Sequence, residues 1–268
     1  MAEPADVVLT ETRGAVTVLT LNRPHARNAV DAAVSTALGD ALERANRDPQ
    51  VRVVVLTGTG GTFCAGADIK AIHRGENLLH PEHPEWGFAG YVRHFVDKPT
   101  IAAVNGLALG GGTELALASD LVVADTHAVF GLPEVKLGLI AAAGGAFRIA
   151  DQLPRKIAMQ MMFTGDPIPA SDALTWGLIN EIADSADAGG NAALDAALVL
   201  AARVAANAPL AVQASKRVAY GVDDDVVTGD EPGWARTARA LGALLASEDA
   251  REGPRAFAEK RTPVWQAR

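Results

Sequence analysis

Three stretches of this sequence gather glycines around polar and acidic residues in a way that a hydrophobic core does not require. They are Thr62-Phe-Cys-Ala-Gly-Ala-Asp-Ile-Lys70, Asn105-Gly-Leu-Ala-Leu-Gly-Gly-Gly-Thr-Glu-Leu115 and Phe130-Gly-Leu-Pro-Glu-Val-Lys-Leu-Gly-Leu-Ile140, the last running into Ala141-Ala-Ala-Gly-Gly145. The middle stretch carries the plainest chemistry. Gly110-Gly-Gly112 stands before an apolar helix, so backbone can approach a ligand closely and the free N–H groups of the helix start can receive a developing negative charge. The same glycines also suit a helix crossing packed at short range. Glu114 falls in the first turn of that helix, which continues Leu115-Ala-Leu-Ala-Ser119. A carboxylate in such surroundings costs stability unless it is paired or used, which makes Glu114 a candidate acid–base group; a favourable contact with the helix dipole is the alternative.

The elements that must position these stretches can be read from periodicity. Val7–Thr10 and Ala15–Leu21 are β-branched runs separated by Thr12-Arg13-Gly14 and predict a hairpin. From Val30 the apolar positions 30, 34, 38, 41, 42 and 45 form a helical stripe, with Asn28 and Asp31 placed like a capping pair and Asp48-Pro49 as the stop. Val51–Leu56 is apolar on both faces, as in a buried parallel strand. Strands are expected at Thr100–Val104 and Asp120–Ala124, a helix opens at 110–112, and Val129-Phe130 starts a short extended piece. Beyond Pro154 the texture is mostly helical, over Arg155–Phe163, Ser171–Trp176, Asn191–Ala206, Pro209–Tyr220 and Trp234–Ala246, with one strand-like stretch at Leu178–Ile182. The alanines of 192–205 keep the helical period and read as close helix packing. No repeat shows in the residues. Residues 71–91 form a long aperiodic segment with His73, His80 and His83, of the kind that is functional or mobile. Residues 221–232 read as a solvated acidic connection.

With 268 residues, 49% hydrophobic and 21% charged, the chain fits one large α/β unit. Lys and Arg total 24 against 32 Asp and Glu, a formal charge of −8, which disfavours a nucleic-acid or anionic-membrane surface. Cys64 is the single cysteine, so no disulfide framework or Cys-rich metal centre is expected and a reducing, cytoplasmic setting is the default. The acidic start at Met1–Asp6 lacks the form of a signal peptide, and no apolar run is long enough to span a membrane. No Gly-Lys pair exists for a phosphate loop, both glycine clusters fail the dinucleotide spacing, and no serine sits in Gly-x-Ser-x-Gly. The histidines lack metal-ligand spacing, and solvated loop histidines are the expectation.

Together with Ser247-Glu-Asp-Ala-Arg-Glu-Gly253 and Phe257-Ala-Glu-Lys-Arg261, the three stretches resemble the crotonase family, the enoyl-CoA hydratase/isomerase superfamily, from about Val16 to Arg261. The resemblance implies an α/β fold: a ββα spiral with two roughly perpendicular sheets over residues 1–200, and a C-terminal helical trimerisation region over 201–268. It implies an acyl-CoA substrate, a homotrimer or hexamer, and no metal or redox cofactor. By the same resemblance the thioester oxygen would be held by the N–H groups of Ala67 and Gly111, and Glu114 and Glu134, the latter on the family's catalytic strand, would hydrate a trans-2-enoyl-CoA to a 3-hydroxyacyl-CoA. Candidate contacts to the CoA thioester are Ala26, Arg27, Ala65, Gly66, Asp68, Ile69, Lys70, Ala142, Phe257 and Lys260, with Phe257 and Lys260 reaching a neighbouring subunit. A chain this acidic must concentrate cations where CoA phosphates sit, and Arg27, Lys70, Lys260 and Arg261 are the candidates, with solvated surface charge as the alternative. Where family hydratases carry Pro-Gly-Ala-Gly-Gly-Thr-Gln-Arg, this chain has Ala141-Ala-Ala-Gly-Gly-Ala-Phe-Arg148, which brings a methyl at Ala142 and an aromatic at Phe147. Phe147 and the 71–91 segment are expected to shape the acyl end, with helix packing as the alternative for Phe147. An isomerase, another crotonase-type lyase or hydrolase, and a non-catalytic acyl-CoA binding paralogue remain alternatives to the hydratase.

Overall fold

The computed structural model describes residues 6–184 and 190–268. The chain opens with a hairpin in which β1 (Val8–Arg13) pairs antiparallel with β2 (Val16–Leu21), Val8 opposite Leu21 and Arg13 opposite Val16. β1 runs past Thr10 to Arg13, so the turn shrinks to Gly14-Ala15. α1 (Ala32–Arg47) follows, capped by Asp31 Oδ1, which accepts from the Val34 N–H at 2.9 Å. Asn28 is not the other half of a capping pair. It is buried, accepts from the Arg23 N–H and donates to the Thr59 and Thr62 carbonyls, tying the turn after β2 to the turn after β3.

From Val53 one backbone motif recurs, although no repeat is visible in the residues. β3 (Val53–Gly58), β4 (Thr62–Cys64) and α2 (Ile69–His73) make the first unit; β5 (Thr100–Val104), β6 (Leu107–Leu109) and α3 (Gly111–Ala118) make the second. The third is β7 (Leu121–Asp125) and β8 (Val129–Gly131), followed by a 3-10 turn over Pro133–Leu137 and α4 (Gly145–Gln152). Each unit sends its first strand to one sheet and its second to another. After α5 (Arg155–Thr164) come β9 (Ile168–Pro169), α6 (Ala170–Thr175) and β10 (Glu181–Ala183), which complete sheets of order β1-β2-β3-β5-β7-β10 and β4-β6-β8-β9. Cys64, Ala108 and Phe130 stand side by side in the smaller sheet, and β4, β6 and β8 are parallel. The segments that follow these strands therefore emerge next to one another at the carboxyl ends, where open α/β sheets build sites. They are the three glycine-bearing stretches.

The central strands of the larger sheet are buried on both faces. Val54, Leu56, Ala102 and Val104 face the main core with Val34, Leu38 and Leu42 of α1, while Val53, Val55, Ile101 and Val123 face α7 (Ala192–Ala205). α7 presents Ala193, Ala197 and Ala201, all fully buried, so small side chains let the helix lie close against β-branched strands. A boundary between 200 and 201 falls inside α7.

Beyond α7 the chain forms an arm of α8 (Pro209–Tyr220), a hairpin of β11 (Val222–Asp223) and β12 (Val226–Val227), α9 (Glu231–Leu245) and α10 (Asp249–Ala258). The acidic connection is mostly that hairpin, with Asp224 and Asp225 at φ of 46° and 61°, the turn geometry that two-residue hairpin loops favour. α10 contains Gly253-Pro254, a pair that argues against a helix. The glycine is needed for contact: a Cβ on Gly253 would stand 2.1 Å from the Leu137 carbonyl, so α10 can lie directly on the 3-10 turn. Among the described residues no single helix is long and apolar enough to cross a membrane.

Candidate active site

The turn after β4 is built to hold an open N–H. Arg23, about 13% exposed, bridges Asp31 at 3.0 Å and Asp68 at 3.1 Å, and Asp68 Oδ1 accepts from the Lys70 and Ala71 N–H groups to start α2. Val30 N–H donates to the Gly66 carbonyl and Asp68 N–H to the Val30 carbonyl, so Ala67 lies between two fixed bonds with its own N–H turned away from them. Gly66 takes φ of +92°, and a Cβ there would stand 2.9 Å from the Leu109 carbonyl and 3.1 Å from the Gly111 nitrogen. Only glycine lets the two loops come this close.

The Gly111 N–H is the first of α3 and has no intrahelical partner. Thr113 pins that helix start to β8: its Oγ1 accepts from the Gly131 N–H at 3.0 Å and lies 2.8 Å from the Ala108 carbonyl, while Gly110 N–H donates to the Gly131 carbonyl at 2.8 Å. Phe88 packs over this point, its Cε1 being 2.4 Å from where a Gly111 Cβ would stand. Ala67 and Gly111 thus leave two backbone N–H groups open, with the Phe88 ring packed at Gly111.

Glu114, one turn into α3, is 3% exposed, and its Oε1 accepts from the Gly145 N–H at 2.8 Å with the Ala143 N–H adding support. Glu134 is not on a strand: β8 stops at Gly131 and Pro133 starts a 3-10 turn that carries Glu134 in its first positions. A Cβ on Gly110 would stand 2.9 Å from Glu134 Oε1, so this glycine makes room for the carboxylate, whose Oε2 is buried without a hydrogen-bond partner among the described residues. Burial pushes both carboxyls up from the ordinary glutamate range, and the Glu134 charge raises Glu114 further, against the pull of the Gly145 and Ala143 N–H groups and of Arg148. Two such groups titrate as a pair that holds a proton towards neutral pH.

The fold brings Glu114, Glu134, Gly111, Gly66 and Ala67 together, with Ala65 N–H bonded to the Arg27 carbonyl so that Ala26 and Arg27 border the same loop. Asp68 serves the loop through Arg23 rather than facing outward, while Ile69 and Lys70 are exposed beside it and Ala142 is half-buried next to the Glu114-holding turn. Phe257 and Lys260 are exposed on and just after α10. Arg261 is tied into a network with Glu252 and Glu259. Phe147 packs against Gly233 and Trp234 of α9, which is the helix-packing role. Sequence reasoning missed Arg23, Phe88 and Thr113, whose roles depend on partners brought in from other turns of the spiral. Cys64 is buried and its thiol is pushed up to about 12 by burial, which leaves it a packing residue.

The 71–91 segment is docked rather than loose. Ser35 Oγ donates to the Leu78 carbonyl, His80 is buried against Asp40, and Trp86 is stacked between His83 and His94 with centroids 4.0 and 3.9 Å away. His80 and His83 therefore pack on an aromatic ring while His73 stays exposed at the end of α2, and no metal-ligand cluster occurs among the described residues. A cavity of about 640 Å³ lies between this segment, the distal ends of α3 and α4, and the arm, lined by Trp86, Tyr220 and Trp234 among carboxylates and the cations Arg93, Arg148 and Lys216.

Successive turns of the two-sheet ββα spiral bring two open backbone N–H groups and a buried glutamate pair together, the groups that acid–base chemistry at a developing negative charge would use. The chain belongs to the enoyl-CoA hydratase/isomerase family, whose sequence profile matches residues 11–268. It is 40% identical to a carnitinyl-CoA dehydratase of Proteus mirabilis over 96% of this chain and 97% of that one. Among solved structures, a carnitinyl-CoA dehydratase from Mycobacterium avium 104 is 70% identical with a TM-score of 0.93, covering 98% of this chain and 100% of that one. An enoyl-CoA hydratase from Mycobacterium tuberculosis H37Rv is 44% identical with a TM-score of 0.75, covering 98% and 100%.

Proposed function

We propose that this protein is a hydro-lyase that adds water across the double bond of a 2-enoyl-CoA and runs the reverse dehydration of a 3-hydroxyacyl-CoA. The buried glutamate pair carries this reading. In the hydration direction one carboxylate takes a proton from water as its oxygen bonds to Cβ, and the protonated partner gives its proton to Cα, so the pair ends with the same number of protons. The electrons of the double bond pass through the thioester enolate, whose oxygen is received by the Ala67 and Gly111 N–H groups. Fixed donors in a dry site are worth on the order of 3 kcal/mol each to such a transition state. Two carboxylates favour hydration over isomerisation, for which one would serve. The reading requires no metal or redox group. Ala26, Arg27, Ala65, Lys70 and, from a neighbouring subunit, Phe257 and Lys260 would contact the CoA part of the substrate.

A homotrimer or hexamer is part of the same proposal. Leu210 and Val218 on α8 and Phe163 on α5 are 78%, 82% and 74% exposed in the single chain, large apolar side chains of the kind that subunit contacts cover.

Loss of the conjugated enoyl absorbance of crotonyl-CoA on adding the protein tests the reaction, and persistence of that absorbance alongside an unreacted 3-hydroxyacyl-CoA would refute it. A narrower reading follows from the names of relatives. A carnitinyl group is a 3-hydroxyacyl chain ending in a quaternary ammonium, so a carnitinyl-CoA dehydration would be the same reaction on one particular substrate. A kcat/KM for carnitinyl-CoA at least about tenfold above that for 3-hydroxybutyryl-CoA would support it, and a ratio near one would refute it.

A further inference from the structure

The C-terminal arm reaches the backbone that holds Glu114. Gly145 gives its N–H to Glu114 Oε1, and Gly144 just before it is boxed in by the arm. A Cβ on Gly144 would stand 3.0 Å from the Trp234 ring and 3.2 Å from a guanidinium nitrogen of Arg148. Arg148 donates twice to Asp230 Oδ2, at 2.6 and 3.0 Å, and its guanidinium lies 5.3 Å from the centre of the Trp234 ring. Its remaining terminal nitrogen, Nη1, is buried without a partner among the described residues and is the one turned towards Gly144. Phe147 completes the contact by filling the space over Gly233 and meeting Trp234 edge-on.

We propose that Arg148 with Asp230 and Trp234 forms a positioning clamp for Glu114, in which the arm fixes the turn that presents N–H groups to the carboxyl and Asp230 offsets the Arg148 charge. The titratable groups around the clamp come from several elements, and Tyr220 of α8, itself beside Asp120, also faces Arg148. Glu114 faces Glu134 from the 3-10 turn and Arg148 from α4. Arg148 faces Asp230 of α9; Arg93, paired with Glu231, covers the Trp234 ring at 4.9 Å; and Asp151 stands one turn further along α4, exposed. None of these three clamp residues touches the reacting atoms. Their effect passes through the 143–145 turn and through charge.

The inference rests on Glu114 being an acid–base group, and its sign can be tested apart from that reading. In the full-length protein labelled with carboxyl-13C glutamate, the Glu114 resonance is identified by its loss in Glu114→Gln and titrated in each variant. Arg148→Gln removes a cation that favours the carboxylate, so the apparent midpoint should rise by about half a pH unit or more; Asp230→Asn leaves that cation unbalanced, so the midpoint should fall by a similar amount. Looser packing alone would wet the carboxyl and lower the midpoint in both. Shifts of the same sign, or none, overturn the clamp. Asp230→Glu keeps the charge and should restore the parent midpoint; if it moves as far as Asp230→Asn, the clamp is likewise overturned, even where Arg148→Gln does not fold. Opposite shifts together with an active Glu114→Gln would leave the clamp standing and remove the hydratase reading instead.

Discussion

The spiral and the arm are held by different forces. Around the glutamates, position is set by short backbone bonds and by glycines in van der Waals contact: Gly110 N–H to Gly131, Val30 N–H to Gly66, Gly145 N–H to Glu114. In the arm, α10 packs directly on the 3-10 turn through Gly253, but α8 and the start of α9 dock largely through charge. Lys216 of α8 reaches Asp120 at 2.7 Å, Arg217 reaches Asp97 at 2.8 Å, Arg148 reaches Asp230 at 2.6 Å and Arg93 reaches Glu231 at 2.9 Å, around a cavity of about 640 Å³. α8 buries none of its residues fully. Backbone bonds inside a packed sheet respond little to ionic strength, whereas half-buried ion pairs around a cavity are screened by salt. The two glutamates sit on the backbone-bonded part, and α9 meets the turn beside Glu114 from the part that salt can loosen.

The largest expected effect is on chemistry at the rigid part. Glu114→Gln and Glu134→Gln should each lower turnover of a confirmed substrate by about a hundredfold or more, with KM changed less, because each removes a proton-transfer group and little binding surface. Steady-state kinetics on folded protein checks this, and a dispensable Glu114 beside an essential Glu134 would indicate isomerisation. Next in size, Gly110→Ala puts a methyl 2.9 Å from Glu134 Oε1 at a φ of +53°, and turnover should fall by about tenfold while the thermal midpoint falls by only a few degrees. Near-parental turnover would mean that the glycine contact does not set the Glu134 position.

A third effect concerns stability. Burial raises the folded-state pKa of Glu114 above its unfolded value, so the folded chain holds that proton more tightly. The resulting stability is fully present below the ordinary carboxyl range and is lost as pH climbs towards and through the raised value. Glu114→Gln avoids that loss, so its melting temperature should exceed the parent's by a few degrees at about pH 8, with the gain shrinking towards about pH 5. Equal gains at both pH values would contradict the raised pKa. The smallest effect tests the arm: between about 0.1 and 1 M salt, amide exchange in α8 and α9 should quicken severalfold while β6 and β8 are unchanged. Uniform exchange across both regions would erase the contrast.

Local pattern and long-range assembly were legible to different degrees. Thr100–Val104 and Pro209–Tyr220 have the bounds that their residues suggest, because β-branching, an initial proline and helical period act locally. α4 and α10 have no such signal: one starts on Gly144-Gly145, the other contains Gly253-Pro254, and both are stabilised by what they pack against. Glu134 leaves the strand because Pro133 starts a 3-10 turn, while Asn28 links two turns that only the spiral brings together. At the candidate site, the glycine runs and Glu114 stand out in the sequence because they break the rules of a core. Arg23 with Asp68 and Arg148 with Asp230 do not, since the members of each pair lie 45 and 82 residues apart and are ordinary surface residues until the chain folds.

The most direct test of the central claim follows the atoms of water. With a 2-enoyl-CoA such as crotonyl-CoA turned over in oxygen-18-labelled deuterium oxide, mass spectrometry should find one heavy oxygen on Cβ and one deuterium on Cα of the 3-hydroxyacyl product, and Glu114→Gln and Glu134→Gln should suppress both labels together. Recovery of an enoyl-CoA carrying deuterium but no heavy oxygen would contradict hydration by the glutamate pair.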